Sequence, residues 1–110
     1  MTYDVHITKA AERDIESAAD HIEYVLLNPQ AAGELLDEAE EKIINLSAFP
    51  KKHRIVDDPV LTTWGVRCVP VKNYLAFYVA SDERRIIYVV RFLFARRDWL
   101  SILKQGISFE

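Results

Sequence analysis

Arg96-Arg97-Asp98-Trp99 follows directly on the longest apolar run of the chain, Ile86-Ile87-Tyr88-Val89-Val90-Arg91-Phe92-Leu93-Phe94. A guanidinium stays protonated at physiological pH and presents a planar fork of donors. Two side by side can hold a phosphate or a carboxylate, but they are poor proton shuttles. Arg91 interrupts the run, and a buried charge needs a carboxylate, a set of carbonyls or an opening onto a groove. It reads first as a packing and pairing ion and second as a ligand. Arg67 lies in another strand-like segment, and Lys51-Lys52-His53-Arg54 is a basic stretch. Such a stretch can steer a nucleic acid or can simply be solvated. His53 is the one histidine of three placed to act as a base. The binding candidates are therefore Arg67, Arg91, Arg96, Arg97, Lys51, Lys52 and Arg54. The catalytic candidates, if the chain is an enzyme, are Arg67, Arg97 and His53. Arg67, Arg96 and Arg97 are expected to share one working surface. Tyr74 and Trp99 read as core, with base stacking as the functional alternative. No metal-ligand spacing or glycine-rich phosphate loop is visible, so no metal or cofactor is expected.

The apolar run, β-branched and aromatic with no Gly or Pro, predicts a strand at the centre of a sheet. Alternation over residues 3–8 predicts a first strand, paired with the central one. Thr8 is set to cap a helix carrying the stripe Ile15, Ala18, Ile22 and Val25. Asn28-Pro29 stops that helix and starts a second, with Ala32, Leu35, Leu36, Ala39, Ile43 and Leu46 on its stripe. So short a link makes the pair an antiparallel hairpin. Phe49-Pro50 closes it, and Asp57-Asp58-Pro59 reads as a turn. Val66–Val71 is a strand whose Pro70 places it at an edge or marks a bulge, and the edge is the reading used for the sheet order. Lys72-Asn73 turns into Tyr74–Ala80, and Ser81-Asp82-Glu83 turns into the central strand. Asp98 caps a last short helix, ended by Gly106. The order predicts one α+β domain over residues 1–110, with the hairpin on one face of a mainly antiparallel sheet. Ile15, Ile22, Leu35, Leu36, Ala39, Ile43, Phe77, Ile87 and Val89 are its expected core. The other sheet face, with no element to cover it, is expected to be an open groove near the arginines.

Half of the 110 residues are hydrophobic, enough for a core. No apolar run is long enough to span a bilayer, no signal peptide is visible, and the lone Cys68 suggests a reducing compartment. A cytoplasmic protein that binds no membrane is expected. The net charge of −3 hides a split: residues 1–50 carry three basic groups against eleven acidic ones, residues 51–110 eleven against six. That places a basic surface on an acidic molecule.

Several of these segments together resemble the RelE/ParE superfamily of bacterial type II toxins. They are Ile7-Thr8-Lys9-Ala10-Ala11-Glu12-Arg13-Asp14, Asn28-Pro29, Phe49-Pro50, Gly65-Val66-Arg67, Asn73-Tyr74-Leu75-Ala76-Phe77-Tyr78 and Val90 through Trp99. The resemblance spans nearly the whole chain and lies in the order and spacing of the segments. It implies a growth-arresting toxin neutralised by a cognate antitoxin, the complex binding its own operator DNA. One branch cleaves mRNA on the ribosome by 2′-OH attack on the adjacent phosphate, which needs a base, an acid and cations. Its members resemble each other in an Arg after the Tyr that opens the middle strand, and a Tyr or His near the C-terminus. Here Leu75 follows Tyr74 and no histidine lies near the end, although Arg97 matches that branch's arginine. The other branch inhibits DNA gyrase without catalytic residues and resembles this chain at Gly65-Val66-Arg67, Phe77-Tyr78 and Arg91-Phe92-Leu93. The gyrase branch fits better. The ribosome-dependent nuclease, and a degenerate nucleic-acid-binding module without toxicity, remain the alternatives.

Overall fold

Thr8 shows how local chemistry sets the fold. The computed structural model describes residues 2–110. Strand β1 (Asp4–Ile7) ends at Thr8, whose hydroxyl accepts from Ala11 N–H at 3.2 Å and caps α1 (Lys9–Asp20). The same hydroxyl donates to the Val89 carbonyl at 2.9 Å, so one fully buried side chain ties strand, helix and sheet together. Replacing Thr8 with Val will cost about 1–2 kcal/mol, the sum of a lost cap and a lost hydrogen bond. Urea unfolding with an unchanged m-value checks this, and an unchanged midpoint would contradict it.

A π-helical turn (His21–Val25) follows α1, and Asn28 then caps α2 (Pro29–Asn45) with Pro29 in its first turn. Next come α3 (Pro59–Trp64), β2 (Val66–Val71), β3 (Tyr74–Ser81), β4 (Ile86–Phe94) and α4 (Trp99–Lys104), the last capped by Asp98. The sheet order is β1-β4-β3-β2. β1 runs parallel to β4, and the other pairings are antiparallel. Pro70 thus lies in an edge strand, as expected. The α1–α2 hairpin covers one face over Ala18, Leu35, Ala39, Ile43, Tyr78, Ile87 and Val89.

The opposite face is not the open groove anticipated from the sequence. A second core of Val56, Leu61, Val66, Phe77, Val90, Leu93 and Leu103 lies there, beneath α3 and α4, and Phe77 packs on Trp99 at 5.2 Å. The segment read as a turn is the start of α3. The Asp58 carboxylate accepts from Val60 N–H and Leu61 N–H, Pro59 occupies the first turn, and Gly65 ends the helix at φ +73°. Six residues are too few to show a helical period. The Asp58 carboxyl is held below its ordinary range, first by the Lys104 ammonium at 2.8 Å.

One expected core position, Leu36, and one position of the α1 stripe, Val25, also differ. Leu36 is 42 % exposed because Leu35, one residue earlier, takes the inward direction on α2. Val25 is 65 % exposed because the π turn widens the helix and rotates the α1 stripe away from the sheet. Arg84 and Arg85 belong to the β3–β4 turn, where Arg85 has φ +55°.

Candidate functional site

The site is built where β4 outlasts β1. Val89 pairs with Tyr78 and Arg91 with Phe77, so Val90 is an extra residue and the strand bulges there. β1 ends opposite Val89, and beyond that point the edge of β4 faces α1 instead of a strand. Asp14 of α1 fills the place. Its Oδ2 accepts from Phe92 N–H at 3.0 Å and from Arg91 Nε at 2.6 Å, and its Oδ1 accepts from Arg91 Nη2 at 3.1 Å. Arg91 therefore has its carboxylate, in a bidentate pair on the wall of the site.

Beside this pair a groove of about 750 Å³ opens between α1, the π turn and the end of β4. Aromatic rings form its floor. Tyr74 stacks on Phe92 at 5.2 Å and meets Phe94 edge-on at 5.5 Å. Ala18, Ile22 and Leu26 line the helical side, with His21, Asn73 and Arg97 also at the groove. The turn after β4 is fixed by backbone hydrogen bonds from Ala95 N–H to Asn73 O and from Arg97 N–H to Phe94 O. Arg96 and Arg97 are exposed, and no carboxylate among the described residues lies within 4 Å of either. Arg97 does not pair with Asp98, which caps α4 instead. Burial raises the Tyr74 hydroxyl, so it stays protonated at neutral pH. The groove thus offers aromatic contact area with free guanidinium groups close by. It can hold an acidic, apolar segment or a phosphate beside a flat ring.

Arg67 is not part of this groove. It pairs with Tyr78, which pairs with Val89, whereas Arg96 and Arg97 lie past Phe94. At about 3.3 Å per residue that separates them by roughly 15–20 Å along the sheet. One surface containing Arg67, Arg96 and Arg97 is therefore replaced by two, because β2 and β4 run parallel and the arginines sit at their opposite ends.

The second basic region gathers at the start of β2. Arg67 Nη1 donates to the His53 carbonyl at 2.7 Å, and Lys52 lines a cavity of about 490 Å³ with His53. Lys51 pairs with Asp82 at 2.6 Å, and the same carboxylate accepts from the Tyr3 hydroxyl. Arg54 is exposed. Arg85 lies over the Tyr3 ring at 5.7 Å, with Arg84 beside it in the exposed turn. These two arginines are not among the candidates drawn from the sequence. His21 was missed as well, although it falls at helical spacing from Asp14, Ser17 and Ala18, which line the same groove.

His53 is half-buried, with its ring edge toward Tyr78 at 6.4 Å. Burial, then Lys52 and Lys42, push its pKa below the ordinary value of 6.5. The unfolded chain therefore binds a proton at a higher pH than the folded one does. The stabilisation is complete above pH 6.5 and declines as the pH falls from there to the folded value. His53→Gln will flatten that slope in urea midpoints taken across this window, and an undiminished slope would exclude His53 as its source. The Tyr78 hydroxyl nearby is fully buried with no hydrogen-bond partner among the described residues, and burial pushes its pKa up.

Among the described residues no group of three or more His, Cys, Asp or Glu is placed to hold a metal ion. None of the helices described is long and apolar enough to cross a membrane.

A family model described as the ParE toxin of a type II toxin–antitoxin system, parDE, matches residues 5–99. No curated protein sequence matches. Solved structures with the same fold include the chromosomal ParDE toxin–antitoxin system from P. aeruginosa. It has a TM-score of 0.69 and 20 % identity, over 86 % of this chain and 98 % of that one. The toxin–antitoxin complex RelBE2 from Mycobacterium tuberculosis gives 0.60 and 19 %, over 86 % and 99 %. A mutant of the E. coli toxin RelE in the free state gives 0.64 and 12 %, over 96 % and 98 %.

Proposed function

Since this chain belongs to the family of ParE toxins of type II toxin–antitoxin systems, which an antitoxin neutralises, we propose that it arrests growth by inhibiting DNA gyrase. It does so as a single domain acting in the cytoplasm, where gyrase works. The observation that carries this reading is the groove at the end of β4, with two unpaired guanidinium groups beside an aromatic floor. Such a surface binds and obstructs. A phosphodiester-cleaving site needs an acid and a base in addition, worth roughly 10²–10⁴-fold in rate. Arginine supplies neither efficiently, and Tyr74, which stays protonated, does not serve as the base. The cognate antitoxin is the partner that silences the chain, and operator DNA is reached only through that complex.

Ribosome-dependent mRNA cleavage is the second reading, favoured by one observation: His21 and Arg97 line the same groove. Supercoiling assays run beside ribosome-dependent cleavage assays separate the two. Inhibited supercoiling with intact mRNA is the expected result. Codon-phased cuts with untouched supercoiling, lost in His21→Ala protein, would transfer the assignment to the nuclease branch.

A further inference from the structure

Four large apolar residues stand in a row at the tip of the α1–α2 hairpin. Tyr24, Val25, Leu26 and Leu27 are 67 %, 65 %, 59 % and 81 % exposed. A single exposed leucine is ordinary, whereas a contiguous apolar run marks a contact surface. The backbone presents this run under strain. Leu27 has φ +54°, a left-handed conformation that suits Gly or Asn. Hydrogen bonds from Leu26 N–H to His21 O and from Asn28 N–H to Ile22 O, both at 3.0 Å, hold the turn on either side of it. The hairpin thus keeps an aliphatic side chain in water at a position where a polar one, or none, would be easier to fold. Strain of this kind gathers where a surface is used.

The same end of the molecule carries a surface that such a tip would fit. Ile22 and Leu26 line the groove of about 750 Å³, so apolar surface continues from the groove to the tip. On the groove floor Phe94 is 40 % exposed. Arg96 and Arg97 follow it without a carboxylate partner. The tip has the opposite charge. Asp20 precedes the π turn and Glu23 lies within it, and no cation among the described residues comes within 4 Å of either. Tip and groove are therefore complementary in charge and both apolar, yet within one chain these charges do not pair. Two copies related by a two-fold axis can exchange them, because in such an interface residue i meets j and j meets i.

We propose that the hairpin tip of one copy docks in the groove of a second copy, and the reverse, forming a two-fold dimer. Leu26 and Leu27 of each copy pack on the floor at Phe94 of the other. Asp20 and Glu23 of each copy meet Arg96 and Arg97 of the other. Both grooves close together, so the dimer hides Arg97 and the monomer presents it. Four side chains and one groove make a small interface beside the roughly 800 Å² per partner of a standard one. The dimer is accordingly weak, with Kd on the order of 10 μM.

Sedimentation of the purified free chain between about 1 and 300 μM tests the proposal. It reads mass alone, so the outcome does not depend on which target the groove serves. The mass should rise from one copy to two across that range. Leu27→Asn suits the left-handed backbone and removes the aliphatic anchor. It should raise Kd about tenfold or more while the thermal midpoint of the monomer holds or rises. The charges are tested reciprocally. Asp20→Lys with Glu23→Lys in one protein, and Arg96→Glu with Arg97→Glu in another, should each leave a monomer, since like charges then face each other. Mixed in equal amounts, the two proteins should form a heterodimer near the wild-type Kd, because both contacts again join opposite charges. A wild-type chain that stays monomeric throughout overturns the proposal. So does a dimer that Leu27→Asn leaves intact, which places the interface elsewhere. If the wild type dimerises and the mixed variants do not, the exchange of tip and groove is wrong. If the free chain is monomeric and Leu27→Asn instead weakens inhibition of supercoiling or capture by the antitoxin, the tip belongs to that partner and the proposal falls.

Discussion

Arg97→Ala protein will fold, will be captured by its antitoxin and will no longer inhibit supercoiling at wild-type doses. The inhibitory concentration is expected to rise about 30-fold or more, since truncating a central arginine of an interface costs 2 kcal/mol or above. The side chain is exposed and its backbone N–H is used in the turn to Phe94, so the substitution removes a guanidinium and leaves the chain path intact. Arg96→Ala should do less, because Arg97 lines the groove and Arg96 does not. Arg97→Lys should restore only part of the activity, as a point charge replaces a bidentate fork. Growth arrest on induction without antitoxin gives the same ranking in cells. Full inhibition by a folded Arg97→Ala protein would remove the groove from the mechanism.

Asp14→Ala will be among the most destabilising single changes in the molecule, at about 2–4 kcal/mol. It strips three hydrogen bonds from β4 and leaves the Arg91 charge uncompensated. Breaking a fully buried pair costs about 3–5 kcal/mol, and the residual exposure of these side chains, 24 % and 15 %, lowers the figure. Urea unfolding of three proteins tests the cause. Asp14→Ala should lose the most. Asp14→Asn, which keeps an acceptor for Phe92 N–H, should lose less. The double variant Asp14→Ala with Arg91→Met should recover much of the deficit, because the stranded charge is gone. If the double variant is no more stable than Asp14→Ala, the lost hydrogen bond to Phe92 dominates and the ion pair contributes little.

What the sequence made legible was chemistry confined to a few residues. Thr8, Asn28-Pro29, Asp98 and Pro70 announced two helix starts, a short terminal helix and an edge strand, because caps and missing donors act within a turn of chain. The need of Arg91 for a carboxylate was equally plain, although nothing marked Asp14 as the one that would supply it. Three things were out of reach. The helix at Pro59–Trp64 is too short to show a period, and missing it left one sheet face apparently bare. The π turn at His21–Val25 breaks the helical stripe and turns Val25 outward. The separation of Arg67 from Arg96 and Arg97 follows from strand direction and register, which no local pattern encodes.

The pairing of β1 with β4 also bears on when the chain becomes a toxin. Val5 and Ile87 are neighbours in the sheet, roughly 80 residues apart along the chain, so the closure is highly non-local. During synthesis at about 5–20 residues per second, β1 waits roughly 4–16 s for its partner to be made. Until then the α1–α2 hairpin has no central strand to rest on, and Asp14 has no Arg91. The groove is one of the last features to exist, because β4 forms its floor and the Arg97 turn follows β4. A nascent chain is therefore harmless for most of its translation, and an antitoxin already present in the cell meets the toxin as it is completed.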